Sequence, residues 1–479
     1  MATVVTPDLV AEIRSVVGSR HVRADRSELA VYECDGFVIE KNRPDLVVFP
    51  ENTAQVAEVM RICHRAGVPV VPRGAGTSLS GGCLPVGGGV MVVLTRMRNI
   101  LEINLRDRYA VVEPGVVNVR LTQALKGTGY HYAPDPSSQG ACTIGGNVAT
   151  NAGGPHTLKY GVTVNHVLGV EAVLADGRVV QLGGPAEDGP GLDLVGALVG
   201  SEGTLAIVTR VWVRLTPDPQ GCRTLLAIFD SVDDATTAIS EIIGAGILPA
   251  ALEMMDRGII AAVEAAFQFG FPLDAEAVLL IEADGLEAGL DAQRDRIVAI
   301  CRQQRAREVR LAADAQERLK LWKCRKQAFG AIGRLSPSYC TQDGVVPRTR
   351  LPHIFRRIIQ IGEKHGIRIV NVIHAGDGNI HPILLFDERD PEQIERVLRA
   401  SDEILQECLD CGGSVTGEHG IGVEKISFMQ KMFSPDDLIA MEHLRTALNP
   451  RNLLSPDKML PTAGGCGVEQ IHPGRRAAL

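Results

Sequence analysis

The chain has 479 residues, 45% hydrophobic and 22% charged, which is too long for a single core and of ordinary globular composition, so two or three domains are expected. A net charge of −8 at pH 7 argues against nucleic acid or an anionic membrane surface as a partner. No apolar run reaches the roughly 18 residues that span a bilayer, and the opening MATVVTPDLVAEIRSVV lacks the basic-then-apolar layout of a signal peptide, so a cytoplasmic protein is expected. The 11 cysteines are scattered, and Cys408–Cys411 is their only C-x-x-C pair. That pair cannot supply the four thiolates of an iron–sulfur cluster or a structural zinc, and an odd total does not suit a disulfide framework. Free thiols in a reducing compartment follow, and any iron–sulfur chemistry belongs to another chain.

In chain order, residues 7–20 read as an amphipathic helix, 43–50 (RPDLVVFP) as a strand, 53–67 as a helix capped by Gly67, and 68–72 (VPVVP) as the next strand. This β-α-β run leads into Arg73–Gly82, RGAGTSLSGG. Gly74-Ala-Gly76-Thr-Ser-Leu79 starts like G-x-G-x-x-G but fails at its sixth position, and no Gly-Lys-Ser/Thr follows, so neither a nicotinamide Rossmann unit nor a Walker loop fits. Residues 88–97 and 109–117 are predicted strands, with a helix after them.

The stretch Pro134–Gly161 holds six glycines and no charge between Asp135 and Lys159. Such a run packs no core of its own. Glycine permits close backbone approach, and consecutive N–H groups make anion-binding nests. With Arg73–Gly82 it forms a pair of backbone cradles suited to a large phosphate-bearing cofactor. A hairpin turning at Asp176-Gly177 follows, then a helix near 192–199, a small-residue turn at Gly200–Thr204, and a strand over 205–217. The composition then changes to strands (RTLLAIFD, AVLLIEAD) alternating with amphipathic helices over 218–340, which sets a domain boundary near Pro217–Gly221.

Two further stretches carry chemistry. In Ile373-His-Ala-Gly-Asp-Gly-Asn-Ile-His-Pro382, turn residues Gly376–Asn379 separate two apolar runs. A hairpin closing on those four residues is expected to set His374 opposite His381, about 4.5–5.5 Å apart at Cβ, close enough to share one divalent metal. In Gly417-Glu418-His419-Gly420-Ile-Gly422, Glu418 would complete a site of two histidines and one acid, and His419 would act as general base. Arg325, in LWKCRKQ, is a candidate for a substrate carboxylate, although a lone arginine on a basic helix is more often a solvated face.

PRGAGTSLSGG, PDPSSQGACTIGGNVATNAGG, GSEGTLAIVT, HAGDGNIHP, GEHGIG and ALNPRNLLSPDK resemble, in this order, the motifs of the FAD-linked 2-hydroxyacid dehydrogenases. That family includes the catalytic chains of bacterial glycolate oxidases, D-lactate dehydrogenases and D-2-hydroxyglutarate dehydrogenases. YECDG, LEMMD and WKCRK…GVVPR resemble the glycolate oxidase branch most. The resemblance covers roughly residues 25–462.

It implies an α+β fold: a two-lobed vanillyl-alcohol-oxidase-type FAD-binding domain over 1–218 and an α+β cap domain with an antiparallel sheet and the metal site over 219–425. A segment over 426–463 would return to the FAD domain, and 464–479 would be a loose tail. The implied flavin contacts are Arg73, Gly74, Ala75, Gly76, Thr77, Ser78, Asp135, Pro136, Ser137, Ser138, Gly145, Asn147, Thr150, Asn151, Gly153, Glu202, Gly203 and Ile207. The GAGTS of 74–78 lacks the histidine of relatives with covalent flavin, so FAD is expected to be noncovalent. His374, His381 and Glu418 match metal ligands for Zn, Mn or Fe, His419 matches the base, and Arg325 and Asn379 match substrate contacts. The implied activity is oxidation of a small 2-hydroxy acid, glycolate or D-lactate, to the 2-oxo acid, with hydride passing to flavin N5 and electrons going on to a partner subunit or quinone chain.

Alternatives within the same fold are a D-2-hydroxyglutarate dehydrogenase and an oxidase using dioxygen; outside enzymes, a non-catalytic flavoprotein subunit of a complex. Companion flavin-binding and iron–sulfur subunits, and peripheral association at the cytoplasmic face of the inner membrane, are the partners implied. Two departures stand out. Ser455 replaces the glycine of the usual L-N-P-G-K ending. Thr341 stands where relatives acting on dicarboxylates carry a lysine, which favours a small monocarboxylate.

Overall fold

The computed structural model describes residues 5–186 and 189–461; the expected loose tail over 464–479 lies outside them. The chain divides into two compact units. The first comprises 1–153, 162–217 and 418 onward, and the second 154–161 and 218–417. The chain thus re-enters the first unit at Glu418, ahead of the expected residue 426, and residues 154–161, expected in the first domain, pack with the second.

The first unit is built on two main sheets, beside a short two-stranded pairing of Tyr130–His131 with Thr216–Pro217. One has four strands in the order Val22–Arg23, Leu46–Val48, Val90–Val93 and Val70–Arg73, the last three parallel. Helix Thr53–Ala66 joins Leu46–Val48 to Val70–Arg73; Asn52 caps its start, and Gly67, left-handed at φ +69°, caps its end as the sequence predicts. Val90–Val93 enters between the two strands that the helix connects. The core beneath joins Val56, Met60 and Cys63 of the helix to Leu46, Val48, Val70, Val90 and Val92.

The second sheet is antiparallel, in the order Ile100–Asn104, Tyr109–Val112, Ile207–Arg214, Val167–Val173 and Val179–Gly183. Its last hairpin turns at Asp176-Gly177 as expected, with Gly177 at φ +82°. The glycine-rich run is not loop throughout: Thr143 caps a seven-residue helix, Ile144–Thr150, whose Ile144 and Val148 join the core of this sheet.

The second unit is one eight-stranded antiparallel sheet. Its main path runs Glu308–Leu311, Gly221–Phe229, Ala277–Gly285, Ala251–Asp256, Arg368–His374, Asn379–Phe386 and Ser338–Thr341. The central strands read as nearly unbroken apolar runs because both faces are covered. Directly paired residues share a face, and the register places Thr224, Glu282, Ala251, Glu253, His374, Asn379, Ile383 and Thr341 on one of them. Helices Arg257–Phe267 and Ala315–Ile332 cover that face with Ile259, Val263, Cys324, Ala328 and Ile332.

Candidate active site

In the second unit, helix Ala315–Ile332 lays side chains along the polar line of that face. Residues 318, 322, 325 and 329 recur at helical spacing. Arg318 donates to Glu282 through Nε (2.8 Å) and Nη2 (2.7 Å), and Trp322 Nε1 donates to the same carboxylate at 2.7 Å. Thr224 Oγ1 adds a fourth bond at 2.6 Å. Burial alone would raise the Glu282 pKa, but these donors outweigh it and hold the carboxyl well below the usual range. His156 stacks on Trp322 with ring centroids 5.1 Å apart.

One turn on, Arg325 is fully buried rather than a solvated face. Its Nη2 stands 2.6 Å from Glu253 Oε2, yet Nε, Nη1 and Nη2 make no hydrogen bond. The contact is an ion pair whose N–H directions miss the carboxylate. The guanidinium therefore keeps a full set of buried donors unspent, a costly state unless a ligand takes them up. Phe329, the next in line, stands edge-on to His381, with centroids 6.5 Å apart.

The two predicted ligand histidines do come together, but not in the expected register. The hairpin loop is 375–378, so His374 pairs with Asn379, and His381 pairs with Val372. The four-residue loop shifts the closing pair by one from each expected end. The histidines become diagonal neighbours on one face, with ring centroids 5.1 Å apart and ring nitrogens within 4.8 Å. His374 Nδ1 lies 2.9 and 3.0 Å from the two oxygens of Glu253, and His381 Nδ1 lies 3.2 Å from the Gln342 carbonyl. Asn379 donates from Nδ2 to Asp343 Oδ1 at 2.7 Å, while its buried Oδ1 has no partner. Asp343 also accepts from Thr416 Oγ1 (2.6 Å) and Gly417 N (2.9 Å). It thereby ties the hairpin to the segment that ends at Gly417. A β-carbon at Gly417 would meet Asn379 Nδ2 at 2.1 Å, so a larger residue would have to displace that amide.

In the first unit, the loop that follows is held by Glu202 of the Gly200–Thr204 turn and Ser80 of the first cradle. Glu202, itself at φ +53°, accepts from Ile421 N and Gly422 N at 2.7 Å each. Burial raises its pKa, and these N–H groups oppose the rise. Ser80 Oγ donates to the His419 carbonyl at 2.9 Å. Gly420 and Gly422 are left-handed, and a β-carbon on either would strike Glu202 or the Ser80 carbonyl. Glu418 and His419 lie with Glu418 Oε1 3.9 Å from His419 Nε2.

The two cradles meet: a β-carbon on Gly74 would fall 2.6 Å from Thr143 Oγ1, and one on Gly145 would fall 2.5 Å from Pro114. The Ser78 hydroxyl is buried without a partner. A backbone with no room for side chains and an unspent hydroxyl suits a bound cofactor. Several expected flavin contacts use their side chains otherwise. Arg73 Nη1 donates to the Cys34 carbonyl at 2.9 Å and approaches Cys83 Sγ at 3.2 Å. Asn147 is bonded to Asn118 and Cys142, and Asn151 accepts from Val164 N. Ile207 packs in the core. These side chains are engaged within the first unit.

Sequence reading passed over Glu253, Glu282, Asp343 and Ser80. A signal existed for the first two: each is an acid within a mostly apolar strand, in ALEMMD and AVLLIEAD. Asp343 and Ser80 carry no such mark.

Residues 44–183 match the FAD binding domain family, and residues 218–459 match the C-terminal domain of FAD linked oxidases. The chain is 45% identical over 472 residues to glycolate oxidase subunit GlcD of Escherichia coli (strain K12), covering 98% of this chain and 94% of that one. The chain belongs to the FAD-linked oxidases. It is also 32% identical over 465 residues to the probable mitochondrial D-lactate dehydrogenase of Danio rerio, covering 94% and 91%. Among solved structures, p-cresol methylhydroxylase with substrate bound superposes with a TM-score of 0.81 at 18% identity, covering 94% of this chain and 96% of that one. This FAD-linked oxidoreductase therefore has the vanillyl-alcohol-oxidase-type fold that the sequence motifs imply. No helix among the described residues is long and apolar enough to cross a membrane.

Proposed function

We propose that this FAD-linked oxidase oxidises a small 2-hydroxy monocarboxylate, glycolate or D-lactate, to the 2-oxo acid. The observation that carries the reading is Arg325: a guanidinium wholly out of water, its donors unspent, on the same sheet face as two convergent histidines and the unpartnered Asn379 carbonyl. A planar carboxylate is the ligand that a planar fork of N–H donors fits bidentately.

Arg325 binds the substrate carboxylate and fixes the orientation of the α-carbon. Asn379, whose buried Oδ1 has no partner, is a further contact for the substrate. His374, His381 and Glu418 are the residues that would hold a divalent Zn, Mn or Fe ion; two imidazoles and a carboxylate are a fitting donor set. Glu418 is one peptide bond beyond Gly417, which Asp343 holds against the hairpin. His419 takes the hydroxyl proton on a ring nitrogen, from a loop that Glu202 and Ser80 keep in place. Noncovalent FAD would supply the acceptor for the two electrons leaving the α-carbon, and the divalent ion Lewis acidity toward the hydroxyl oxygen. Onward transfer falls to a companion subunit, with iron–sulfur and further flavin-binding chains as candidates, or to a quinone chain at the inner membrane's cytoplasmic face.

Anaerobic addition of glycolate, D-lactate or D-2-hydroxyglutarate to the purified flavoprotein tests this. Glycolate or D-lactate should bleach the yellow flavin absorbance at a rate matching dye-coupled turnover. Colour that survives all three acids would end the reading, and peroxide release matching dye reduction would favour a dioxygen-using oxidase.

A further inference from the structure

Glu253 is 1% exposed, in the middle of strand Ala251–Asp256. Its same-face neighbours on that strand, Ala251 and Met255, are apolar, so the strand itself gives no reason for an acid. A carboxylate there is costly unless its oxygens are taken, and two groups take them. His374 Nδ1 stands 2.9 and 3.0 Å from Oε1 and Oε2, and Arg325 Nη2 stands 2.6 Å from Oε2. Direct cross-strand pairing of Glu253 with His374 fixes the first contact through the backbone ladder.

An ionised carboxylate only accepts, so the proton of a neutral His374 ring must sit on Nδ1, which places the ring's lone pair on Nε2. A histidine held so is oriented to ligate through that nitrogen. The Arg325 contact falls on Oε2, one of the same two oxygens.

We propose that Glu253 is the positioning residue of the ion site: it sets the tautomer and the ring orientation of His374, with Arg325 as its counter-ion. This rests on the reading of His374 as a metal ligand. The rival account is that Glu253 serves only to neutralise Arg325 within the fold.

The test is Mn2+ titration of the full-length, flavin-loaded, metal-depleted protein, with free ion read from its electron paramagnetic resonance signal. No turnover is involved. Four proteins are compared: wild type, His374→Ala, Glu253→Gln, and the double variant Glu253→Leu/Arg325→Met. The double variant leaves no unpaired buried charge, so it stays informative if Glu253→Gln does not fold. Flavin content checks integrity. Glu253→Gln and the double variant should each raise the Mn2+ dissociation constant by about 10- to 100-fold, the usual cost of losing a histidine's outer partner, with flavin content unchanged. A folded double variant that binds Mn2+ within about twofold of wild type, while His374→Ala binds far more weakly, would overturn the positioning role. Should His374→Ala itself bind like wild type, it is the ligand assignment that falls, and the positioning role falls with it.

Discussion

Gly422→Ala asks whether the loop carrying Glu418 and His419 works only where the first unit holds it. Gly422 lies at φ +55°, and a β-carbon there would stand 2.0 Å from the Ser80 carbonyl oxygen and 2.6 Å from its carbon. Real β-carbons essentially never come within 3.0 Å of such an atom, so the loop and the cradle must part by about 1 Å (3.0 − 2.0). The obstacle is backbone, which cannot swing aside as a flexible side chain can. Ser80 also holds the His419 carbonyl, and Glu202 holds Gly422 N, so the displacement reaches the residue proposed to take the proton. Misplacing a reacting group by about 1 Å can cost on the order of 10²-fold in rate, or about 2.7 kcal/mol of barrier. The left-handed backbone adds about 1–2 kcal/mol of instability. Gly412→Ala separates the two effects, because Gly412 is equally left-handed at φ +80° but has open space where its β-carbon would go. Single-turnover rates per bound flavin, with melting temperatures alongside, make the assay. Gly422→Ala should keep its flavin, lose about 10²-fold in the reductive step and melt early; Gly412→Ala should only melt early. Gly422→Ala reacting within twofold of wild type, or Gly412→Ala losing as much rate, would refute the reasoning.

Three other outcomes are expected. His419→Ala should retain flavin and lose about 10²- to 10⁴-fold in turnover, the range for removing a general base; near-normal turnover would remove that assignment. Arg325→Met should lower kcat/KM by roughly 150-fold, about 3 kcal/mol for two hydrogen bonds to a charged ligand, and destabilise the fold by about 3–5 kcal/mol by leaving Glu253 unpaired; kinetics and denaturant midpoints measure the two separately. Asp35, which burial raises to about 6 from 3.8, binds its proton more tightly folded than unfolded. Its contribution is therefore full below pH 4 and declines by about 3 kcal/mol as pH rises to 6. Asp35→Asn should remove that decline from urea midpoints taken between pH 4 and 7, and an unchanged slope would contradict it.

What the sequence made legible was whatever depended on neighbours along the chain. The left-handed stop at Gly67 and the turn at Asp176-Gly177 are each set by a few consecutive residues, and each forms as expected. The pair His374–His381 was legible for the same reason, since a short hairpin brings both together. Its register was not, because loop length in a Gly-Asp-Gly run is set by backbone torsions that composition does not fix. The helix Ile144–Thr150 was obscured by glycine, whose poor intrinsic propensity is overridden once Thr143 caps it and Ile144 and Val148 find a core. The carboxylate of Glu202 accepts from backbone some 220 residues away in sequence. No local signal reports a partner that distant. The same holds for Asp343, whose partners lie on two other segments.

The strongest case of this limit is the pair of arginines on helix Ala315–Ile332. Arg318 and Arg325 are seven positions apart, in similar basic surroundings, and each faces a buried glutamate of the sheet below. By charge alone they are equivalent. They differ in how their donors are spent. Arg318 gives Nε and Nη2 to Glu282, whose remaining capacity goes to Trp322 and Thr224, so that cluster is closed. Arg325 has its counter-charge at 2.6 Å but no hydrogen bond, and it is the one wholly out of water. Neutralising a charge and satisfying its donors are separate requirements. The fold meets both for Arg318 and only the first for Arg325. A guanidinium already paired in charge can take an anionic ligand into a buried place only if its donors are still open, which is why Arg325, and not Arg318, is the arginine proposed to anchor the carboxylate.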